Sequence, residues 1–151
     1  MKKSIWIDAA PDVVFDYLTE GDRMALWSGV AAELDARPGG IFRLDMGAAG
    51  IMTGQFLEVR RPDRIVYEVG AEDHEPDMMS RVEITLSPEV DGTRIEIVHD
   101  ALPPPFQPVA SRGWDHHLAR LSVVASGGIP GPDTLCKRPM ESLMGTDAPT
   151  R

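Results

Sequence analysis

The chain holds a single cysteine, Cys136, so no disulfide can form within it and nothing points to an oxidising compartment. It also lacks a long apolar run. The stretch after Met1-Lys2-Lys3 is interrupted at Asp8, too short for a signal peptide or a membrane span, and a soluble cytoplasmic protein without membrane insertion is expected. Positive charge is scarce: 15 Lys and Arg stand against 24 Asp and Glu, for a net charge of −9. So acidic a protein repels phosphate, which excludes nucleic acid and anionic membrane surfaces as partners. The acids gather between positions 68 and 100, with only Arg81 and Arg94 among them, and read as a solvated face. No internal repeat is present.

What is there suffices for one core. At 151 residues and 42% hydrophobic content, the chain fits one domain over residues 1–127 and a loosely structured Pro/Gly-rich tail over 128–151. The tail's apolar anchors are Met140, Leu143 and Met144, with one short helix expected around 139–144. Residues 106–127 read as a long helix. At about 100° per residue, Ala110, Trp114, His117, Leu118, Leu121, Val124 and Ala125 share one side, and Arg112, Asp115, His116 and Arg120 the other. Gly127, Gly128 and Pro130 stop it.

Upstream, residues 3–8 form a first strand, with Ile5 and Ile7 on one face. Pro11 opens a helix that buries Val14, Phe15 and Leu18, and a second short helix is expected over 22–27. Residues 32–100 then alternate as an antiparallel meander. Arg37-Pro38-Gly39-Gly40, residues 47–50, Pro62-Asp63 and Asp91-Gly92 supply its turns, and Gly54 marks a bulge or a close approach. Residues 102–108, with three consecutive prolines, form a stiff connector to the long helix.

This order of elements resembles the helix-grip architecture of the START-like (SRPBCC) superfamily. Within it, the chain is similar to the family named after the activator of the 90-kDa heat-shock-protein ATPase. The carrying motifs are Ile7-Asp8-Ala9-Ala10-Pro11-Asp12-Val13-Val14-Phe15, Trp27, Asp35-Ala36-Arg37-Pro38-Gly39-Gly40-Ile41-Phe42-Arg43, Arg61-Pro62-Asp63-Arg64-Ile65-Val66-Tyr67, Gly92-Thr93-Arg94-Ile95 with His99, and Gly113-Trp114. The resemblance implies an α+β fold: a curved antiparallel sheet of about six or seven strands wrapped around a long C-terminal helix, with two short helices after the first strand. Where many members carry a histidine shortly before Gly-Trp, this chain has Ala110-Ser111-Arg112, so any role tied to that histidine is absent or moved.

A helix lying across a curved sheet can leave a gap that side chains do not fill. Inward alternation assigns its walls to Phe42, Leu44, Met46, Phe56, Tyr67, Val82, Ile84 and Ile97, with Trp114, His117, Leu118 and Leu121 as a lid. Met46, Met78 and Met79 would let the walls adapt. A dry void of about 300 Å³ would cost about 7 kcal/mol, so such a gap is packed, hydrated or occupied by an apolar ligand. The superfamily resemblance favours a ligand.

His99, inward on the last strand, reads as a core histidine bonded to Tyr67 or a carbonyl, or else as a ligand contact beside Tyr67. Trp27 and Trp114 read as core anchors. His116 and His117 point about 100° apart on a helix, so no joint metal site is expected, His116 is placed in solvent, and no metal or cofactor is anticipated. The leading function is therefore a small-molecule binding protein with a hydrophobic cavity for an apolar or lipid-like ligand. A cyclase- or hydrolase-type enzyme is the alternative, disfavoured because no carboxylate is predicted inward beside an acid or base. A third reading is a co-chaperone-like or homodimeric interaction protein.

Overall fold

The computed structural model describes residues 1–72 and 79–144. Met78, the part of the acidic stretch at 73–77 and the end of the expected tail at 145–151 lie outside the described residues. The elements are β1 (Lys2–Ile7), α1 (Pro11–Thr19), α2 (Gly21–Met24), β2 (Ala31–Leu34), β3 (Ile41–Asp45), β4 (Ile51–Arg60), β5 (Arg64–Ala71), β6 (Ser80–Glu89), β7 (Gly92–Asp100), α3 (Gln107–Ala125) and α4 (Met140–Met144). Short 3-10 turns at Gly47–Ala49, Pro104–Phe106 and Leu135–Lys137 join them. Seven antiparallel strands form one sheet in the order β1-β7-β6-β5-β4-β3-β2. The long helix and the two short helices after β1 are those the sequence foretold.

Period-two alternation explains the strand faces. In β6, Ser80, Val82, Ile84 and Leu86 are buried while Arg81, Thr85 and Ser87 are exposed; in β7, Ile95, Ile97 and His99 are buried while Glu96 and Asp100 face out. The outward side is covered with ion pairs: Arg64 bonds Glu83 and lies 3.1 Å from Glu58, and Arg94 holds Glu89 at 2.8 Å.

Two turns differ in detail from the sequence reading. The β6–β7 hairpin turns on Val90 and Asp91, with φ of 47° and 61°, rather than on Asp91-Gly92. Gly92 instead pairs with Glu89 as the first residue of β7, where a Cβ would meet the Ile7 carbonyl at 2.4 Å. In β4 the register shift falls between Phe56 and Glu58, while Gly54 marks a close approach: a Cβ there would lie 1.8 Å from the Glu68 carbonyl oxygen.

The core lies between the sheet and the helices. α1 contributes Val14, Phe15 and Leu18, and α3 contributes Leu118, Leu121 and Val124, each α3 side chain adding roughly 1.5–3 kcal/mol by burial. α3 ends as expected, with Gly127 at φ 99° and the Gly128 N–H reaching the Val123 carbonyl at 2.8 Å. Its polar side, however, is only partly in water: Asp115 is exposed, while Arg112, His116 and Arg120 are half-buried. Residues 128–144 run back along it and bury Cys136 and Leu143, and α4 is the short helix foreseen near residue 140. Arg120 donates to the carbonyls of Trp27 (3.2 Å) and Gly131 (2.9 Å), and Arg112 to that of Leu143 (2.8 Å).

Candidate functional site

α1 packs across β6 and β7, so one end of the sheet's inner face is solid. The other end is not. Between β3–β6, the first half of α3, the Gly47–Ala49 turn and α4 lies a half-open cavity of about 570 Å³. Its size follows from small residues at facing positions: Gly50, Gly70 and Ala71 on the sheet side, Ala110 and Gly113 on the helix side.

Of the residues assigned to the gap from sequence, Phe42, Leu44, Met46, Tyr67, Val82, His99, Trp114 and His117 line this cavity. Phe56, Ile84, Ile97, Leu118 and Leu121 do not line it; they pack in the solid core, each no more than 4% exposed. Inward alternation cannot separate the two groups, because α1 fills half of the same face. Sequence reasoning missed Met24, Val69 and Ser80, and also Arg112, Leu143 and Met144, brought in by α3's polar side and the C-terminal segment. The serine had a readable signal: it sits two residues before Val82 on the same strand face.

The apolar wall is anchored by three rings. Tyr67 stacks on Phe42 with centroids 4.1 Å apart and meets Phe56 edge-on at 6.1 Å. Burial pushes the Tyr67 hydroxyl's pKa up, and among the described residues that hydroxyl has no hydrogen-bond partner.

The polar corner is a directed chain. The Trp114 indole N–H, which can only donate, reaches His99 Nδ1 at 3.0 Å, so the proton of the neutral imidazole sits on Nε2. Nε2–H then donates to Ser80 Oγ at 2.8 Å, and that hydroxyl donates to the Val69 carbonyl at 3.2 Å. Burial, aided by the nearby N-terminal ammonium and opposed by Asp100, pushes the His99 pKa down to about 4. Both ring nitrogens are committed, and neither Tyr67 nor a carbonyl is the partner.

On α3 the structure corrects a second expectation. His116 is half-buried rather than fully solvated, and it converges with His117 on one carboxylate: each Nε2 lies 2.8 Å from an oxygen of Asp133. Side chains leaving a helix about 100° apart can still meet beyond its surface, where the C-terminal segment delivers Asp133. Cys136 Sγ is 3.4 Å from Asp133 Oδ2, and Arg120 Nε is 3.7 Å from it. Burial pushes the Asp133 carboxyl up, but His117 and the hydrogen bonds from both histidines and Cys136 outweigh it and hold the pKa down at about 2. Burial, reinforced by Asp133, pushes the Cys136 thiol up to about 12. His99 and His117 serve different partners, the first Trp114 and Ser80, the second Asp133.

Residues 8–126 match the family model described as Activator of Hsp90 ATPase homolog 1-like protein. The chain belongs to this family. Solved structures similar to it include the AHSA1-like protein of Rhizobium etli, at 34% identity and TM-score 0.69 over 88% of this chain and 85% of that one. An HSP90 activator from Plasmodium falciparum shares 23% identity with TM-score 0.70, covering 82% of this chain and 94% of that one. The Aha1 dimer from Colwellia psychrerythraea has 14% identity and TM-score 0.74 over 85% of this chain and 96% of that one. At those identities, the last two speak for the fold alone. No curated protein matches the chain significantly. Among the described residues, no helix is long and apolar enough to cross a membrane. The matched residues include the Arg37-Pro38-Gly39-Gly40 turn and the Gly113-Trp114 step on α3.

Proposed function

We propose that this AHSA1-like chain binds an apolar small molecule in the cavity beneath α3. One observation carries the reading: about 570 Å³ of space faces mainly apolar side chains. Because the cavity is half-open it is wetted, and an apolar ligand seated against the Phe42, Leu44 and Val82 walls would release water that finds no polar partner there. The Tyr67 hydroxyl and the Arg112 side chain supply polarity at the margin, which suits a ligand with an apolar body and one hydrogen-bonding group. The committed nitrogens of His99 argue against a general base at this corner.

The test uses the full chain and the fluorescent apolar probe anilinonaphthalene sulfonate. Saturable binding of one probe per folded chain, with a rise in melting temperature, supports the reading. Absence of saturable binding to the native chain sinks it.

The family description favours a second reading, an interaction with the 90-kDa chaperone. Stimulation of that chaperone's ATPase by the purified chain, unchanged when the cavity is filled by mutation, would favour it over the first.

A further inference from the structure

We propose that His116, His117 and Asp133 form a binding site for one divalent transition-metal ion of the zinc type. Their donor atoms all lie within 4.8 Å of one another. Ligands held 2.0–2.1 Å from a tetrahedral ion stand about 3.3 Å apart, whereas each histidine Nε2 now lies 2.8 Å from its Asp133 oxygen. To hold one ion these two contacts open by about half an ångström, while the donors, spread over up to 4.8 Å, draw in toward the same separation. Cys136 Sγ, 3.4 Å from Asp133 Oδ2, stands beside these three converging donors rather than among them.

The donor set selects the metal class. Two imidazoles, a carboxylate and a neighbouring thiol suit zinc or cobalt, and are too soft for magnesium or calcium. The site is also held in place. His116 and His117 ride on α3, and the Leu135 N–H fixes Asp133 at 3.1 Å. His117 and Asp133 side chains are each 7% exposed, while His116, at 29%, leaves a way in.

Two features shape the binding. With the Asp133 carboxylate able only to accept, each Nε2 carries a proton in the absence of an ion, and ligation requires the ring proton to sit on Nδ1 instead. The Arg120 guanidinium, 3.7 Å from Asp133 and tied to main-chain carbonyls, opposes a dication and moderates the affinity. An ion bound here would pin residues 128–144 to α3 and stand behind the cavity wall at His117. The inference is independent of what fills the cavity.

Chelator-treated full-length protein is titrated with Co²⁺ and followed by visible absorption, then challenged with Zn²⁺. The expected result is one Co²⁺ per chain with the strong visible bands of a four-coordinate site, loss of those bands on adding Zn²⁺, and a higher melting temperature with Zn²⁺. His116→Ala and Asp133→Asn should each weaken binding by about tenfold or more. His116 is partly exposed, so His116→Ala carries the test if Asp133→Asn does not fold, as judged by circular dichroism. A near-ultraviolet sulfur-to-cobalt band that disappears in Cys136→Ser would place the ion in this cluster. No saturable binding, or binding undiminished in a folded His116→Ala chain, overturns the proposal.

Discussion

The indole N–H of Trp114 donates to Nδ1 of His99 across 3.0 Å, tying the first half of α3 to the last strand of the sheet. Because an indole cannot accept, this one bond fixes the imidazole's tautomer, its neutrality and the direction of the chain through Ser80 to Val69. It therefore couples the cavity's polar corner to pH.

His99 titrates near 4 in the fold and near its ordinary 6.5 when unfolded. A base whose folded pKa is depressed contributes stability that is full above the unfolded value and is lost as pH falls toward the folded one. The loss amounts to about 3 kcal/mol at most, between about pH 6.5 and pH 4. The groups facing His99 are Trp114, Ser80, the Met1 ammonium and Asp100. Urea unfolding of the wild type and His99→Gln at about pH 7.5 and about pH 4.5 checks this. The stability gap between them should shrink in acid, and a constant gap refutes the assignment.

Trp114→Phe keeps an aromatic ring in place and removes the donor along with part of the indole's volume. Leaving Nδ1 unpaired should cost about 1–2 kcal/mol and raise the imidazole pKa, readable from the ring proton shifts by NMR. Since the Trp114 ring is only partly buried, Trp114→Ala should fall below the roughly 3–5 kcal/mol of a fully buried tryptophan.

Ala110 lines the cavity from α3, where leucine is an equally comfortable helix residue. Ala110→Leu should weaken probe binding about tenfold or more by occupying the space, with stability unchanged or slightly higher. Unaltered probe affinity would place the probe elsewhere.

Val90 is 81% exposed and holds φ at 47°, a left-handed conformation that costs a β-branched residue about 1–2 kcal/mol. Val90→Asn should raise stability by about 1 kcal/mol in chemical denaturation, because asparagine tolerates that region and suits the hairpin.

Gly54→Ala tests the sheet's closest approach. With the added methyl 1.8 Å from the Glu68 carbonyl, β4 and β5 must separate, and a loss of about 3 kcal/mol or more is expected. A loss below 1 kcal/mol would mean that the strands part freely there.

The order of elements, the buried faces of β6 and β7, the helix stop at Gly127 and the family were all legible in the residues themselves. Each depends on local rules: period two in strands, period 3.6 in helices, and the backbone demands of glycine and proline. Such rules place a side chain on a face but do not say what meets it there. That Ile84 and Ile97 are packed solid while Val82 borders open space was decided by where α1 comes to rest. That His116 and His117 share a carboxylate was decided by a segment returning from 16 or 17 residues further on. Contacts between distant parts of a chain depend on the summed packing of every element, and that sum exists only in three dimensions.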